Sequence, residues 1–276
     1  MNKPTSIRAW AAWPSTAQVP LGHSPIIPVS NRPTNGASRT IVMGHRAARG
    51  LAPENTLSAV REALAAGVDW IEIDVWHVDG ELVVIHDQRV DRTTNGMGYV
   101  QDFSLHDLRM LDAGNCQRVP LLEEVIELID GRCGLNIELK GPDCADAAVD
   151  AVNAALRTKR WYREQFLLSS FDHAQLARVK ELDRRIRTGL LLCGAPYDLA
   201  SYAQQLDVWS VHFSLNFVRA EWVSAVQNVG LWAFVYTVNE PQDAARLREI
   251  NVDGIFTDYP VEALATANAF NTADAA

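Results

Sequence analysis

The stretch Trp70-Ile71-Glu72-Ile73-Asp74-Val75 decides the fold, because it alternates apolar and acidic side chains with the period of a β-strand. Side chains two residues apart on a strand point to the same face. Glu72 and Asp74 therefore share one face, and the aliphatic side chains share the other. Such a strand must meet an apolar layer on one side and polar groups on the other.

Short aliphatic runs of this kind recur along the chain, and stretches with helical periodicity separate them. The runs lie at 41–45, 70–75, 133–139, 166–170, 187–192, 207–212, 231–236 and 253–257. Eight alternating βα units predict an α/β fold of the closed (β/α)8 type, a TIM barrel. No linker rich in Pro, Gly or Ser divides the series. We therefore predict one barrel domain at 39–268, an N-terminal extension at 1–38 and a C-terminal tail at 269–276.

The interval between the second and third runs is too long for a plain βα unit. Its segment Leu82-Val83-Val84-Ile85-His86 predicts a strand that pairs back, through a turn at Asp79-Gly80, onto the preceding strand. A turn-rich stretch at 93–98 and a short helix around 104–111 follow. We interpret 79–117 as a small insertion between the second and third barrel strands, where barrel loops often carry function.

Composition places the chain among ordinary globular proteins. Of its 276 residues, 48% are hydrophobic and 21% are charged, which is enough to bury a large core. No run approaches the roughly eighteen apolar residues that a membrane-spanning helix needs. The formal net charge of −9 argues against a general grip on nucleic acid. We expect a small-molecule partner, and no feature of the sequence predicts an oligomeric state.

The cysteines and the first forty residues bear on location. The four cysteines form neither a C-x-x-C pair nor a disulfide framework, so we predict reduced thiols and a cytoplasmic protein. The first forty residues contain no Asp or Glu, four basic residues and six of the twelve prolines. They lack the apolar centre of a secretory signal, and we expect a loosely packed extension.

A third carboxylate follows on the next run of the series. Asn136-Ile137-Glu138-Leu139-Lys140 repeats the alternation and places Glu138 and Lys140 on one face. If the two strands are barrel neighbours, Glu138 lies near Glu72 and Asp74 toward the carboxyl ends of the strands, where barrel active sites lie. Three hard oxygen ligands suit Mg²⁺ or Ca²⁺ rather than zinc. The alternative is solvent-facing alternation on an edge strand, but a closed barrel has no edge strands.

Two histidines end predicted strands and are suited to proton transfer near neutral pH. His45 and His86 each follow an aliphatic run, and Arg46 comes directly after His45. The other five histidines are interpreted as structural, although His212 also ends a predicted strand. The segment 53–56, Pro-Glu-Asn-Thr, is interpreted as a helix start with an early acid and a capping residue.

Aromatic residues near strand ends are candidates for an apolar wall that would touch substrate carbons. Phe171 and Phe213 each follow a predicted strand, and Trp232 lies within one. For Trp232, as for other tryptophans beside strands, core packing is the ordinary alternative.

Motifs spread along the chain give it a resemblance to a known family. The segment 45–56, His-Arg-Ala-Ala-Arg-Gly-Leu-Ala-Pro-Glu-Asn-Thr, resembles the H-R-G-x-x-x-x-x-P-E-N-T signature of the glycerophosphodiester phosphodiesterases. Further matches follow in family order at 72–75, 86–87, 93–98, 111–114, 120–124, 136–140, 237–239 and 254–258. The likeness covers nearly everything after the extension.

The resemblance implies a (β/α)8 barrel enzyme that hydrolyses phosphoric diesters with the help of a divalent cation, Mg²⁺ or Ca²⁺. Three carboxylates would hold the cation, two histidines would transfer protons, and two basic residues would bind the phosphate oxygens. In this chain those positions are Glu72, Asp74 and Glu138; His45 and His86; and Arg46 and Lys140. We expect His45 to act as base and His86 as acid. The attacking oxygen would come from water or from the neighbouring glycerol hydroxyl.

One residue departs from the family signature, whose third position is usually glycine. Ala47 stands there, and its methyl group is unfavourable if the backbone needs a positive φ. Arg49 is a charged residue at a position that is typically small or polar.

The implied reaction is hydrolysis of glycerophosphocholine, glycerophosphoethanolamine or similar diesters to sn-glycerol 3-phosphate and an alcohol. Three alternatives stay open: a lysophospholipase D, a phosphatidylinositol-type phospholipase C, or a barrel that only binds. All seven implied positions are present, which disfavours the binding barrel. An enzyme that acts on lipids should show a membrane-docking helix or an exposed aromatic lip, and no basic amphipathic stretch is present.

Overall fold

The computed structural model describes residues 40–194 and 196–274, and the side chains of these residues up to 267. The predicted extension at 1–38 lies outside the described residues. The strands are β1 Ile41–Gly44, β2 Trp70–Val78, β3 Glu81–Val84, β4 Gly134–Leu139, β5 Phe166–Ser170, β6 Arg187–Leu192, β7 Ser210–Ser214, β8 Trp232–Tyr236 and β9 Gly254–Thr257. The helices are α1 Leu57–Ala66, α2 Leu105–Met110, α3 Leu122–Ile129, α4 Cys144–Arg157, α5 His173–Leu182, α6 Leu199–Gln205, α7 Ala220–Asn228, α8 Pro241–Glu249 and α9 Pro260–Asp274.

Eight of these strands form a closed parallel barrel, which confirms the predicted fold. Around the barrel the order is β1, β2, β4, β5, β6, β7, β8 and β9, and β1 pairs with both β2 and β9 to close it. The predicted runs match the strands within one to three residues. The largest differences are of three residues: β2 extends to Val78 rather than ending at 75, and β7 begins at Ser210 rather than at 207. β7 begins late because Asp207 has a positive φ of 53° in the turn after α6.

The aliphatic face of β2 packs outward against helices. Ile71, Ile73 and Val75 belong to a buried cluster that also contains Val60 of α1 and Val125 of α3. Because side chains alternate along a strand, the acidic face of β2 points into the barrel.

A separate apolar cluster plugs the lower interior of the barrel. Its buried members are Ile41, Met43, Trp70, Leu167, Trp232, Phe234 and Phe256. The polar site therefore lies toward the carboxyl ends of the strands, above a packed floor.

The predicted insertion forms a small substructure with its own core. β2 extends beyond the barrel, and β3 pairs with it in antiparallel register through the turn at 79–80. A short 3-10 turn and α2 follow. Buried Val83, Val90, Val100 and Leu108 pack together with Trp76 of β2. The hairpin and the short helix expected from the sequence are both present.

The boundary expected at 268, between the barrel domain and a C-terminal tail, stays a prediction. α9 continues to Asp274, so most of the predicted tail is helical. None of the described helices is long and apolar enough to span a bilayer.

Candidate active site

The loop after β1 bends so that its backbone binds a carboxylate of β2. Arg46 and Ala47 have positive φ angles of 48° and 70°. The Arg46 amide donates a hydrogen bond to Glu72 Oε2 at 2.6 Å, and the Ala47 amide donates to the Glu72 carbonyl at 2.7 Å. One amide of the bend therefore binds the Glu72 carboxylate, and the next amide binds the backbone of β2. This bend ties the loop that carries His45 and Arg46 to β2.

Three carboxylates converge inside the mouth of the barrel. In the register of β2 and β4, Asp74 lies beside Glu138, while Glu72 lies two residue pairs lower, beside Asn136. One oxygen from each of Glu72, Asp74 and Glu138 lies within 4.8 Å of the other two, and all three residues are buried. Burial and mutual repulsion raise the pKa of Glu72 and the pKa of Glu138.

The cluster has the chemistry of a divalent-cation site. Glu72 Oε1 is buried and has no hydrogen-bond partner among the described residues. A buried, unpaired carboxylate oxygen is costly, and a cation at this point would compensate both it and the repulsion between the three acids. The oxygen donors of Glu72, Asp74 and Glu138 could hold such a cation, and they suit a hard ion.

Lys140 brings a positive charge to the edge of the cluster. Its Nζ lies 2.6 Å from Glu138 Oε1 and 3.7 Å from Asp74 Oδ1. Burial opposes its charge, but these two acids outweigh burial and raise the pKa of Lys140. The same ammonium lies 5.6 Å from the centre of the Phe171 ring. Phe171 therefore borders the site, and its contact with substrate stays a prediction.

His45 is oriented by a carboxylate that directly follows the last barrel strand. Its Nδ1 lies 2.7 Å from Asp258 Oδ1. Asn239 donates to Asp258 Oδ2 at 2.9 Å and accepts from the Asp258 amide at 2.9 Å. Burial favours the neutral acid, but the hydrogen bonds from His45 and Asn239 outweigh it and lower the pKa of Asp258. With Nδ1–H donating to this carboxylate, His45 Nε2 is left for proton transfer.

His86 is oriented by its neighbour in sequence. Its Nδ1 lies 2.5 Å from Asp87 Oδ1, and its Nε2 lies 3.3 Å from Lys140 Nζ. The Trp76 indole N–H also donates to the His86 carbonyl at 3.2 Å. Burial, together with the charges of Lys140 and Arg46, lowers the pKa of His86.

Sequence reasoning missed several residues that support the site. Asp87, Asn239 and Asp258 lie in matched motifs but were given no role. Asn55 was interpreted as part of a helix start, yet its Nδ2 donates to Asp74 Oδ2 at 2.8 Å; the cap of α1 is Thr56 alone. Their position in the sequence could have indicated these roles, since each of these polar residues directly follows a strand or a matched motif residue.

Two predicted substrate contacts are wrong. Phe213 is adjacent in β7 to the inward-facing His212, so it points outward, where it stacks on Trp222 of α7. Trp232 is the first residue of β8 and lies in the apolar floor, 5.3 Å from the Trp209 ring. Neither side chain lines the mouth of the barrel.

His212 packs against two aromatic rings in the barrel interior, which supports its interpretation as a structural residue. It lies within β7 rather than at its end, is fully buried, and its Nε2 lies 2.8 Å from Ser210 Oγ. Burial lowers the pKa of His212 to about 3.

The fold and its mouth define the class of the protein, a (β/α)8 barrel with a candidate divalent-cation site at the carboxyl ends of its strands. The model of the glycerophosphoryl diester phosphodiesterase family matches residues 45–262. This chain belongs to that family.

Individual relatives agree with this assignment. The chain is 37% identical over 240 residues to the glycerophosphodiester phosphodiesterase of Caldanaerobacter subterraneus, covering 80% of this chain and 95% of the relative. It is 31% identical to a glycerophosphodiester phosphodiesterase of Bacillus subtilis, covering 80% and 84%. Among solved structures, an Oleispira antarctica phosphodiesterase in complex with the product sn-glycerol-3-phosphate superposes with a TM-score of 0.77 at 31% identity, covering 83% and 96%.

Proposed function

We propose that this protein hydrolyses glycerophosphodiesters to sn-glycerol 3-phosphate and an alcohol such as choline or ethanolamine. The observation that carries the proposal is the convergence of Glu72, Asp74 and Glu138 within 4.8 Å in a barrel mouth that also contains Lys140 and two carboxylate-paired histidines. Membership of the family supports it, as does the structural likeness to a phosphodiesterase that was solved with this product.

A phosphodiester resists attack because its anionic oxygens repel the nucleophile. Arg46 and Lys140 lie beside the carboxylate cluster and would bind those oxygens and offset the charge that grows on them. A divalent cation held by the three carboxylates would supply further charge neutralisation, and we propose Mg²⁺ or Ca²⁺ for that position. Phe171 would contact the glycerol carbons.

His45 and His86 would carry the protons. Displacement at phosphorus needs a base for the attacking hydroxyl and an acid for the leaving alkoxide. Each imidazole has one nitrogen held by a carboxylate, Asp258 or Asp87, so the other nitrogen has a defined direction. We propose His45 as base and His86 as acid.

The direct test is release of glycerol 3-phosphate, measured after the protein is stripped of metal and supplied with Mg²⁺ or Ca²⁺. We expect turnover of glycerophosphocholine or glycerophosphoethanolamine only with added metal. Full turnover in chelator after verified metal removal would refute the metal assignment, and absence of turnover across several head groups with either metal would refute the function.

Metal binding can be tested separately by calorimetry. Glu72→Gln, Asp74→Asn and Glu138→Gln should each weaken binding of the metal alone by at least about tenfold, since each removes one anionic ligand. Glu81→Gln is the matched control, because Glu81 is an exposed acid on the neighbouring strand β3. The metal-free ligand variants should be no less stable than the parent, because repulsion is relieved. Unchanged affinity would remove these residues from the site.

A second candidate function is hydrolysis of lysophospholipids, and one observation favours it. Loops that follow barrel strands present exposed apolar side chains, namely Leu51, Phe171, Tyr197, Phe217 and Tyr259. Such side chains could contact an acyl chain or a lipid surface. Against this, the site itself is lined by charged groups. We expect kcat/KM for glycerophosphocholine to exceed that for lysophosphatidylcholine at least tenfold, and the reverse order below the micelle concentration would favour the lipid substrate.

A cytoplasmic location stays a prediction.

A further inference from the structure

Arg92 belongs to the insertion, yet its guanidinium binds two carboxylates at the mouth of the barrel. Its Nε and Nη2 donate to the two oxygens of Asp87 at 2.6 and 3.0 Å. Its Nη1 and Nη2 donate to the two oxygens of Glu54 at 2.8 and 2.7 Å. A planar guanidinium can make two such two-oxygen contacts at once, and an ammonium cannot.

Each of these carboxylates also binds a residue to which the proposed function assigns a role in proton transfer or phosphate binding. Asp87 Oδ1 accepts from His86 Nδ1 at 2.5 Å, and Glu54 Oε1 accepts from Arg46 Nη1 at 2.7 Å. A continuous chain of charged hydrogen bonds thus runs from His86 through Asp87, Arg92 and Glu54 to Arg46. It connects the proton-transfer side of the site with the phosphate-binding side.

This series of hydrogen bonds depends electrostatically on Arg92, which lies at its centre. Asp87 and Glu54 both contact one guanidinium, so their negative charges lie close together and would repel each other without it. Burial opposes ionisation of Glu54, but hydrogen bonds and charges from Arg92 and Arg46 outweigh it and lower the pKa of Glu54 to about 2. Hydrogen bonds from Arg92 and His86 likewise lower the pKa of Asp87. Both carboxylates are therefore ionised at neutral pH, and among the described residues only Arg92 contacts both of them.

The insertion's own core holds Arg92 in place. Val90 is fully buried in that core, and its amide donates to the Gly98 carbonyl at 3.0 Å. The Thr94 amide and hydroxyl both donate to the Val90 carbonyl, at 3.0 and 2.8 Å. These bonds close the turn that contains Arg92 and aim its side chain at the barrel.

We propose that Arg92 is a positioning residue for the hydrolysis, which orients His86 and Arg46 by clamping their carboxylate partners, Asp87 and Glu54. The insertion then completes the active site of the barrel instead of only shaping its mouth. This role rests on the proposed function, because it acts through the residues assigned there.

The test compares Arg92→Met with Arg89→Met. Arg89 lies in the same insertion, is equally exposed (45% against 46% of the side chain) and pairs at 2.8 Å with the exposed Asp91. Arg92→Met should lower kcat for glycerophosphocholine by about 10- to 100-fold, since small misplacements of reacting groups have effects of this size. Arg89→Met should change kcat less than twofold. Equal kcat values for the two variants would overturn the proposal.

Two further variants separate positioning from a general loss of structure. Arg92→Lys keeps the positive charge but lacks the planar guanidinium donors, so its kcat should lie between those of Arg92→Met and the parent. If Arg92 acts through Asp87, the double variant Arg92→Met with Asp87→Asn should lose little more activity than the stronger single variant. Fully additive losses would mean that Arg92 does not act through Asp87.

An independent readout holds even if the protein hydrolyses none of the diesters. The ring nitrogens of His86, assigned by their disappearance in His86→Gln, can be followed by ¹⁵N NMR. Tautomers exist only when His86 is neutral, so the spectra are recorded at a pH above its titration; there the proton of the parent should reside on Nδ1, toward Asp87. In Arg92→Met this tautomer preference should be lost, whereas Arg89→Met should keep it. An unchanged His86 spectrum in Arg92→Met would contradict the clamp, and absence of turnover in the parent would contradict only the proposed function.

Discussion

Ala47 stands in a backbone conformation that favours glycine, with φ at 70°. The family signature has glycine at this position, and the structure shows why: the bend points the amides of Arg46 and Ala47 at Glu72. An L-residue in this region costs about 1–2 kcal/mol. The chain retains the bend with alanine because the amide bonds and the burial of the methyl group offset that strain.

Ala47→Gly and Ala48→Gly form a matched pair that measures this strain. Both alanines are fully buried in the same turn, so both variants lose a methyl group and gain unfolded-state entropy, but only Ala47 has a positive φ. We expect the free energy of unfolding of Ala47→Gly to exceed that of Ala48→Gly by about 1–2 kcal/mol in urea titrations. Equal values would show that the Ala47 conformation is unstrained.

His45 and His86 should fail separately when removed, because they handle different protons. Each alanine substitution should lower kcat by about 10²- to 10⁴-fold, the usual scale for one acid or base. A p-nitrophenyl diester needs little help with its leaving group, so it should partly rescue His86→Ala and leave His45→Ala impaired. Rescue of His45→Ala alone would reverse the proposed roles, and an effect confined to KM would make both of them binding residues.

At the scale of elements, the insertion acts as a small folding unit attached to β2. Leu82 and Val84 of β3 pack into the main barrel cluster, whereas the buried side chains beyond β3 contact one another and Trp76 in a cluster of their own. Units with few contacts to the main core open at lower free energy than the whole protein. The insertion also places Arg92, so its local stability is coupled to the geometry of the site.

Leu108→Ala should open the insertion without unfolding the barrel. Leu108 is fully buried, and such truncations cost about 2–5 kcal/mol. Hydrogen exchange should accelerate beyond β3, across 86–117, and remain slow in β3 and the barrel strands. Met110→Ala on the same helix is the control, because Met110 is 67% exposed. Faster exchange throughout the chain would mean that insertion and barrel unfold as one unit.

At the scale of the whole molecule, the polarity of the barrel interior increases from the amino ends of the strands to their carboxyl ends. The floor is apolar, whereas the mouth carries the carboxylates, and His212 lies between the rings of Phe234 and Phe256 near this boundary. Its imidazole is held neutral because a buried charge without a counter-ion is costly. Global stability must therefore respond to pH through this group.

The free energy of unfolding should fall as the pH drops below about 6.5. His212 has a pKa of about 3 in the folded protein and 6.5 ordinarily, so between these values the unfolded chain binds the additional proton. This group alone contributes a slope of up to about 1.4 kcal/mol per pH unit. Urea titrations from pH 7 to 5 should show a shallower slope for His212→Asn than for the parent. The exposed His106→Asn should leave the slope unchanged, and an equal slope in His212→Asn would contradict a buried neutral histidine.

The barrel and the direction of its key side chains were readable from the sequence. Strand and helix periods differ, so eight aliphatic runs predicted eight strands. The period of two also placed Glu72 with Asp74 and Glu138 with Lys140, and these pairs lie together in the structure. The same alternation predicts that Phe213 points outward once His212, its neighbour in the strand, is known to point inward.

Only the tertiary structure decided which polar groups are partners. His45 is 213 residues from Asp258 in the chain, and Arg92 is 38 residues from Glu54. Periodicity reports the face on which a side chain lies, but a hydrogen bond also requires the height along the strand and the path of the loop. Closure of the barrel sets the height of each side chain, and it places Trp232 in the apolar floor. The packing of the insertion sets the path of its loop, and it brings Arg92 to the mouth of the barrel. Residues distant in sequence become partners there because the closed sheet brings the ends of all its strands to one rim.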